Sequence, residues 1–137
     1  MKHFLDICLL LIGLSFVPSQ TRVQKVEIYF FNDTRSFPIA SDVSLFWNKA
    51  NRAYIDTLSL SDQNFVTTVS RNLRQLKKLE KETYIDYRVA VIVYSINPKQ
   101  RDTFYTDSKF DKWDHKSLNY IDTSNNLNRM FSEFIAK

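Results

Sequence analysis

The side chains best suited to acid–base or metal chemistry lie together in one short stretch of the sequence. They are Asp107, Ser108, Asp111, Asp114, His115 and Ser117. His115 would be the base of any serine-type mechanism, but no nucleophile elbow or other strained turn accompanies it. A calcium loop needs alternating ligands and a glycine, and interspersed lysines offset the negative charge here. We therefore predict a solvated loop histidine, with no catalytic residue and no metal site.

An enzyme centred on His115 is the alternative interpretation of the same stretch. It would be a small hydrolase or a metal-dependent enzyme, because the neighbouring residues offer hydroxyl groups and hard carboxylate ligands. Full activity in a His115→Ala variant would exclude it.

Cationic residues recur at spacings of three and four in a predicted helix. They are Arg71, Arg74, Lys78 and Lys81. On a helix these residues share one face, so the sequence predicts a basic stripe that could contact phosphate or an acidic protein surface. A stripe of this kind is more often the solvated face of an amphipathic helix.

Large aromatic residues beside charged or amide residues form the second candidate binding surface. Trp47 precedes Asn48, Trp113 lies between Lys112 and Asp114, and Phe110 is close to Trp113. Exposed aromatic side chains of this kind are favoured at protein interfaces. For both tryptophans, packing in the core is the more usual role in a small domain without disulfides.

Residues 1–19 form a predicted signal peptide. Lys2 and His3 supply its polar start, the stretch 7–17 is apolar, and cleavage is expected after Ser19. The apolar run is shorter than the roughly 20 residues that a membrane-spanning helix needs. An uncleaved anchor is the alternative. We expect an exported chain, periplasmic, in the cell envelope or secreted, with no permanent membrane span and no nucleic acid partner.

The only glycine and the only cysteine, Gly13 and Cys8, both lie in this leader. Residues 20–137, a predicted single domain, contain neither. Phosphate-binding loops require glycine where the backbone approaches the ligand, so nucleotide binding by those routes is excluded. Thiol chemistry, disulfides and cysteine zinc sites are excluded as well. No cofactor is predicted, and the net charge of +4 is mildly basic.

Alternating or continuous apolar residues predict the strands. The predicted strands are 23–31, 54–60, 88–96, 101–107 and 118–121. The stretch 88–96 is apolar on both faces, and a turn at Asn97-Pro98 precedes 101–107. The stretch 37–51 is compatible with a strand or a short helix, and we predict a strand. Because the domain lacks glycine, turns with positive φ are expected to use Asn or Asp.

Two amphipathic helices complete the predicted fold. The first is capped by Ser61 or Asp62 and runs to about Lys81, and the second follows a cap at Thr123 or Ser124 and contains 127–135. Short connections between strands favour antiparallel pairing. The sequence thus predicts an α+β fold: a mostly antiparallel sheet of five or six strands with both helices packed on one face.

The strand sequences VEIYFF (26–31), YIDTLSLSD (54–62), DYRVAVIVY (86–94) and DTFYT (102–106) resemble small exported proteins of Bacteroidota-type bacteria. The resemblance implies export and a single domain, and it assigns no activity or site residue. Together with the surfaces above, it leads us to expect a non-enzymatic protein that binds a protein or envelope component, as an inhibitor, immunity protein or assembly partner. A self-associating envelope component is a further possibility, which a monomer in sizing chromatography would contradict.

Overall fold

The computed structural model describes residues 22–32, 42–96 and 99–135. The predicted signal peptide, its cleavage site and the turn at Asn97-Pro98 lie outside these residues. Within the described ranges, no helix is long and apolar enough to cross a membrane.

The described residues form one sheet of seven strands. They are β1 (Val23–Phe31), β2 (Ile55–Leu60), β3 (Lys77–Lys78), β4 (Val89–Ser95), β5 (Gln100–Thr106), β6 (Lys112–His115) and β7 (Leu118–Ile121). Their order is β2-β1-β4-β5-β6-β7-β3, and neighbouring strands are antiparallel. The predicted α+β fold is confirmed, with β3 and β6 in addition to the expected strands.

Strand β6 corrects the prediction that His115 lies in a polar loop. Phe104 pairs with His115 and Thr106 with Trp113, so this stretch extends the β4–β5 hairpin by another strand. Alternation buries the Trp113 side chain on one face of the sheet, while Asp114 on the other face accepts hydrogen bonds from the Ser117 amide and the Asn119 side chain. The sequence pattern did not indicate this strand, because the charged residues Lys112 and Asp114 flank its single buried aromatic residue.

The predicted strand within 37–51 is wrong where the structure describes it. Helix α1 (Val43–Phe46) is followed by a 3₁₀ helix (Lys49–Tyr54). The Asp42 carboxylate accepts a hydrogen bond from the Leu45 amide at 2.8 Å, which caps the short helix. The stretch 37–41 lies outside the described residues.

Helix α2 (Gln63–Arg74) begins where the sequence predicts, because the Asp62 carboxylate accepts a hydrogen bond from the Phe65 amide at 2.8 Å. It ends at Arg74, not at Lys81. Beyond Gln75 the chain extends, and β3 pairs with β7 through Lys77↔Ile121 and Lys78↔Tyr120. The apolar spacing continues past the helix because Leu76 still packs against the core from extended backbone.

Helix α3 (Asn126–Ile135) is the second predicted helix. The Ser124 hydroxyl accepts a hydrogen bond from the Asn126 amide at 3.2 Å, and the Asp122 carboxylate accepts one from the Leu127 amide at 2.9 Å. Ser124, one of the two predicted capping residues, therefore contacts the first turn.

One core joins both helices to one face of the sheet, as the sequence predicts. Helix α2 contributes Val66, Val69 and Leu73, and α3 contributes Leu127 and Phe131. They pack against side chains that alternation places on the same face of neighbouring strands: Val26, Ile28, Val91, Val93 and Trp113. All of these residues are buried, so the helices and the sheet stabilise one another through apolar area removed from water.

The opposite face of the sheet carries an aromatic cluster. Its members are Tyr29, Phe31, Phe46, Trp47, Tyr87 and Tyr105. Most of their ring contacts are edge-to-face, and Tyr87 stacks on Tyr105 at 5.0 Å between ring centroids. This cluster attaches α1 to the sheet, so the sheet has a packed layer on each side.

Residues with positive φ occupy several turns without glycine. Among the described residues they are Phe110 at 57°, Lys116 at 54°, Ser117 at 61° and Asn125 at 57°. Asn125 fits the expected residue type, whereas the other three do not. Lys116 and Ser117 are consecutive and join β6 to β7 with the positive φ values of a type I′ turn.

Candidate functional site

The structure corrects the prediction that Phe110 and Trp113 form an exposed aromatic surface. The Trp113 side chain is 0% exposed and that of Phe110 is 3% exposed. The indole Nε1 of Trp113 donates a hydrogen bond to the Phe110 carbonyl at 2.8 Å, and both rings lie within 6.3 Å of another aromatic centroid. In the described structure both residues pack in the core, and this hydrogen bond satisfies the one polar group of the indole.

Trp47 is half-buried in the aromatic cluster on the other face of the sheet. Its Nε1 donates a hydrogen bond to the Tyr105 hydroxyl at 2.9 Å, and its ring contacts Tyr29 and Phe46. The sequence therefore grouped two tryptophans that the sheet separates.

The predicted basic stripe is divided by the early end of α2. Arg71 and Arg74 are exposed on the last turn of the helix, whereas Lys78 is exposed on β3 and Lys81 in the segment that follows it. The four residues therefore do not share one helix face. The described structure brings Arg71 and Arg74 together with Arg22, which immediately precedes β1.

These three arginines line a groove of about 700 Å³ along α2. We call it the arginine groove, and its polar lining includes Arg22, Gln63, Thr67, Arg71, Arg74 and Gln75. Among the described residues no carboxylate lines it, so the charges that they place at this surface are all positive. Arg22 was not recognised from the sequence, because only the position of β1 beside α2 brings it there.

The guanidinium groups of the groove have no partner within the described ranges. Among the residues that the structure describes, Arg22, Arg71 and Arg74 form no ion pair and no side-chain hydrogen bond. A guanidinium presents several donors in a planar fork that matches a carboxylate or a phosphate. The groove can therefore hold an anionic group without breaking an existing contact.

A smaller cleft of about 350 Å³ adjoins the groove and shares Ser70 and Arg74 with it. It lies between the end of α2 and strands β4 to β7. Its apolar lining is Leu73, Leu76, Val93, Phe104 and Tyr120. The polar lining is Ser70, Arg74, Ser95, Gln100, Asp102 and His115. These polar residues come from four elements, α2, β4, β5 and β6, so the fold assembles the cleft.

His115 and Asp102 are partners in this cleft. The imidazole Nε2 lies 3.4 Å from Asp102 Oδ1, and the ring stacks on Phe104 at 4.1 Å between centroids. Lys116 Nζ lies 3.2 Å from the same carboxylate oxygen, and Gln100 donates a hydrogen bond to the other at 2.8 Å. Partial burial opposes ionisation of Asp102, but the hydrogen bonds from Lys116, Gln100 and His115 outweigh it and lower its pKa.

The His115–Asp102 pair can orient an imidazole, but the cleft assembles no nucleophile on it. Ser70 and Ser95 line the same cleft, yet within the described residues neither hydroxyl hydrogen-bonds to His115. Activation of a serine needs that contact. In the same part of the chain, no three His, Cys, Asp or Glu side chains converge in a way that could hold a metal ion.

Two further acidic residues of the predicted loop form a carboxylate pair. The Asp107 carboxylate accepts a hydrogen bond from the Lys109 amide at 2.9 Å, while Asp111 Oδ1 is buried without a hydrogen-bond partner in the described structure. Burial raises the pKa of Asp107, the Lys109 amide opposes this shift, and the charge of Asp111 adds to it. The folded state therefore favours the protonated form of Asp107 more than the unfolded state does.

We expect an Asp107→Asn variant to unfold at higher urea concentration than the wild type at pH 7, and to lose less stability between pH 4 and pH 7. Because folding raises the pKa of Asp107, protonation of this group stabilises the folded state. The full contribution is present below the ordinary pKa of 3.8, and it is lost as the pH rises through the folded-state pKa. Asparagine retains the acceptor for the Lys109 amide and removes the repulsion. Urea unfolding across this pH range measures the effect, and a profile parallel to that of the wild type would contradict it.

No protein-family model matches this chain, and no curated protein or solved structure is significantly similar to it.

Proposed function

We propose that this chain is an exported, non-enzymatic binding protein whose arginine groove holds an acidic segment of a partner protein. The observation that carries the proposal is the set of three guanidinium groups, Arg22, Arg71 and Arg74, which have no ionic partner among the described residues and share a groove that no described carboxylate lines. Export is the expectation from the leader sequence, and the partner is defined by its charge.

The chemistry of the groove favours carboxylate side chains. Arginine is enriched at protein interfaces, where it makes paired hydrogen bonds to carboxylates. Gln63, Thr67 and Gln75 add neutral hydrogen-bonding groups along the same surface. A surface ion pair contributes only about 0–1 kcal/mol by itself. Several arginines must therefore act together, and binding should weaken with added salt.

Binding of a labelled hexaglutamate peptide tests the proposal directly. We expect saturable binding by fluorescence anisotropy at low salt, and an Arg71→Glu/Arg74→Glu variant should bind about tenfold more weakly, equivalent to 1.4 kcal/mol. The matched control is Lys78→Glu/Lys81→Glu, which changes the net charge equally outside the groove. We expect the control to lose much less affinity.

Two results would overturn the proposal. One is equal loss of affinity in both double variants, since binding would then follow net charge instead of the groove. The other is binding to phosphatidylglycerol vesicles but not to the peptide, which would indicate a lipid surface in place of a protein. Circular dichroism of each variant verifies that the fold is intact.

A further inference from the structure

The cleft beside the arginine groove has two chemically distinct parts. One is an apolar wall, to which α2 and the residues after it contribute Leu73 and Leu76, and the sheet contributes Val93 and Phe104. The other is a polar rim that contains Arg74, Asp102 and His115. A volume of about 350 Å³ is at the lower end of the roughly 300–1,000 Å³ found for small-molecule sites. The cleft thus suits a small molecule, or one side chain, with an apolar body and a polar end.

The charges at the rim determine which polar end fits. The Asp102 carboxylate already receives donors from Gln100, His115 and Lys116, so its demand for a partner is met within the protein. Arg74 is the opposite case, because its guanidinium has no partner among the described residues. What the cleft lacks is an acceptor, and a negatively charged acceptor supplies the most favourable hydrogen bond.

We propose that this cleft binds a small apolar carboxylate, with its hydrocarbon part against Leu73, Val93 and Phe104 and its carboxylate on Arg74. A cationic ligand would be repelled by the positive charge of Arg74, and it would have to displace Lys116 in order to pair with Asp102. An uncharged ligand would leave the guanidinium without a counter-charge. The same chemistry occurs in a free organic acid and in the last residue of a peptide that ends in an apolar side chain.

Phenylacetate is a suitable probe, because it joins an aromatic ring to a carboxylate. In titrations of the full chain followed by amide chemical shifts, we expect phenylacetate to shift Leu73, Leu76 and Phe104 at millimolar concentration. Benzyl alcohol, which lacks the charge, and phenethylamine, which reverses it, should bind at least about fivefold more weakly, because neither brings a negatively charged acceptor to Arg74. Equal or tighter binding of either compound, or no shift with phenylacetate, would overturn the proposal.

A pair of arginine variants separates the cleft from the groove. Arg74 lines both, whereas Arg71 lines the groove and not the cleft. We expect Arg74→Gln to weaken phenylacetate binding about fivefold to tenfold, through loss of the charged hydrogen bond, and Arg71→Gln to leave it nearly unchanged. Both variants should weaken hexaglutamate binding. The two proposals can therefore fail independently, and an unchanged phenylacetate affinity in Arg74→Gln would overturn this one.

The source of the carboxylate is distinguished with peptides. The probes are an acetylated tripeptide that ends in phenylalanine and the same peptide with its carboxyl group amidated. Tighter binding of the free acid than of phenylacetate, lost on amidation, assigns the cleft to a peptide carboxyl terminus. Binding of phenylacetate alone assigns it to a small organic acid.

Discussion

Replacing Trp113 by alanine is expected to lower the free energy of unfolding by about 3–5 kcal/mol, the usual cost of removing a large aromatic side chain from a core. The side chain is fully buried and packs against Phe110 and Phe131. Its indole Nε1 also donates a hydrogen bond to the carbonyl of Phe110, a residue with a positive φ. The substitution therefore creates a cavity and removes the contact that holds a strained turn.

Urea unfolding followed by circular dichroism measures this loss. Because single domains are stable by only about 5–15 kcal/mol, the variant should unfold at a much lower urea concentration or fail to fold at 25 °C. Trp113→Phe keeps most of the ring volume, and we expect it to cost less. Tyr84→Ala is the surface control, since Tyr84 is one of the most exposed aromatic residues in the described structure. A similar loss in Tyr84→Ala and Trp113→Ala would contradict the assignment of Trp113 to the core.

Replacing Phe46 by alanine is expected to cost about 3–5 kcal/mol as well, but its effect should be concentrated in residues 42–54. The Phe46 side chain is 0% exposed, and its ring centroid lies 5.1 Å from that of Phe31 and 6.1 Å from that of Tyr105. Helix α1 has four residues, which is far too short to be stable alone. Tertiary contacts of the aromatic cluster must therefore hold it.

Amide hydrogen exchange resolves where the stability is lost. In Phe46→Ala we expect faster exchange across α1 and the 3₁₀ helix, with β4 retaining more of its protection. Leu45→Ala is the matched control, because Leu45 is the neighbouring apolar residue in the same helix and is exposed. Uniformly faster exchange throughout the sheet would show instead that the aromatic cluster is part of the main folding unit.

The regular parts of the fold could be predicted because each follows from local pattern. Residues 23–31 alternate and form β1, and the doubly apolar stretch 89–95 forms a strand with neighbours on both sides. The early end of α2 could not be predicted in this way. Leu76 continues the helical spacing, but the hydrogen bonds of β3 to β7 decide the backbone there, and they depend on residues distant in the sequence.

The candidate sites were harder to predict than the fold. Arg71 and Arg74 were recognised from their spacing, but Arg22 joins them only because β1 lies beside α2. His115 was recognised as the one histidine available for chemistry, yet its partner Asp102 comes from the neighbouring strand β5. Trp113 was named as a candidate binding residue because charged residues flank it, whereas alternation in β6 turns the ring inward, into the core packing that was the alternative.

The turn at Lys116-Ser117 has a consequence for the order in which we expect β6 and β7 to assemble. A residue with a Cβ enters the left-handed region at a cost of roughly 1–2 kcal/mol, so this turn does not favour early closure of its own hairpin. The hairpin is held from outside by burial of Trp113. We therefore expect it to join the sheet last and to open first, an order that amide exchange reports. Because His115 and Tyr120 belong to this hairpin, its opening would also expose one wall of the cleft.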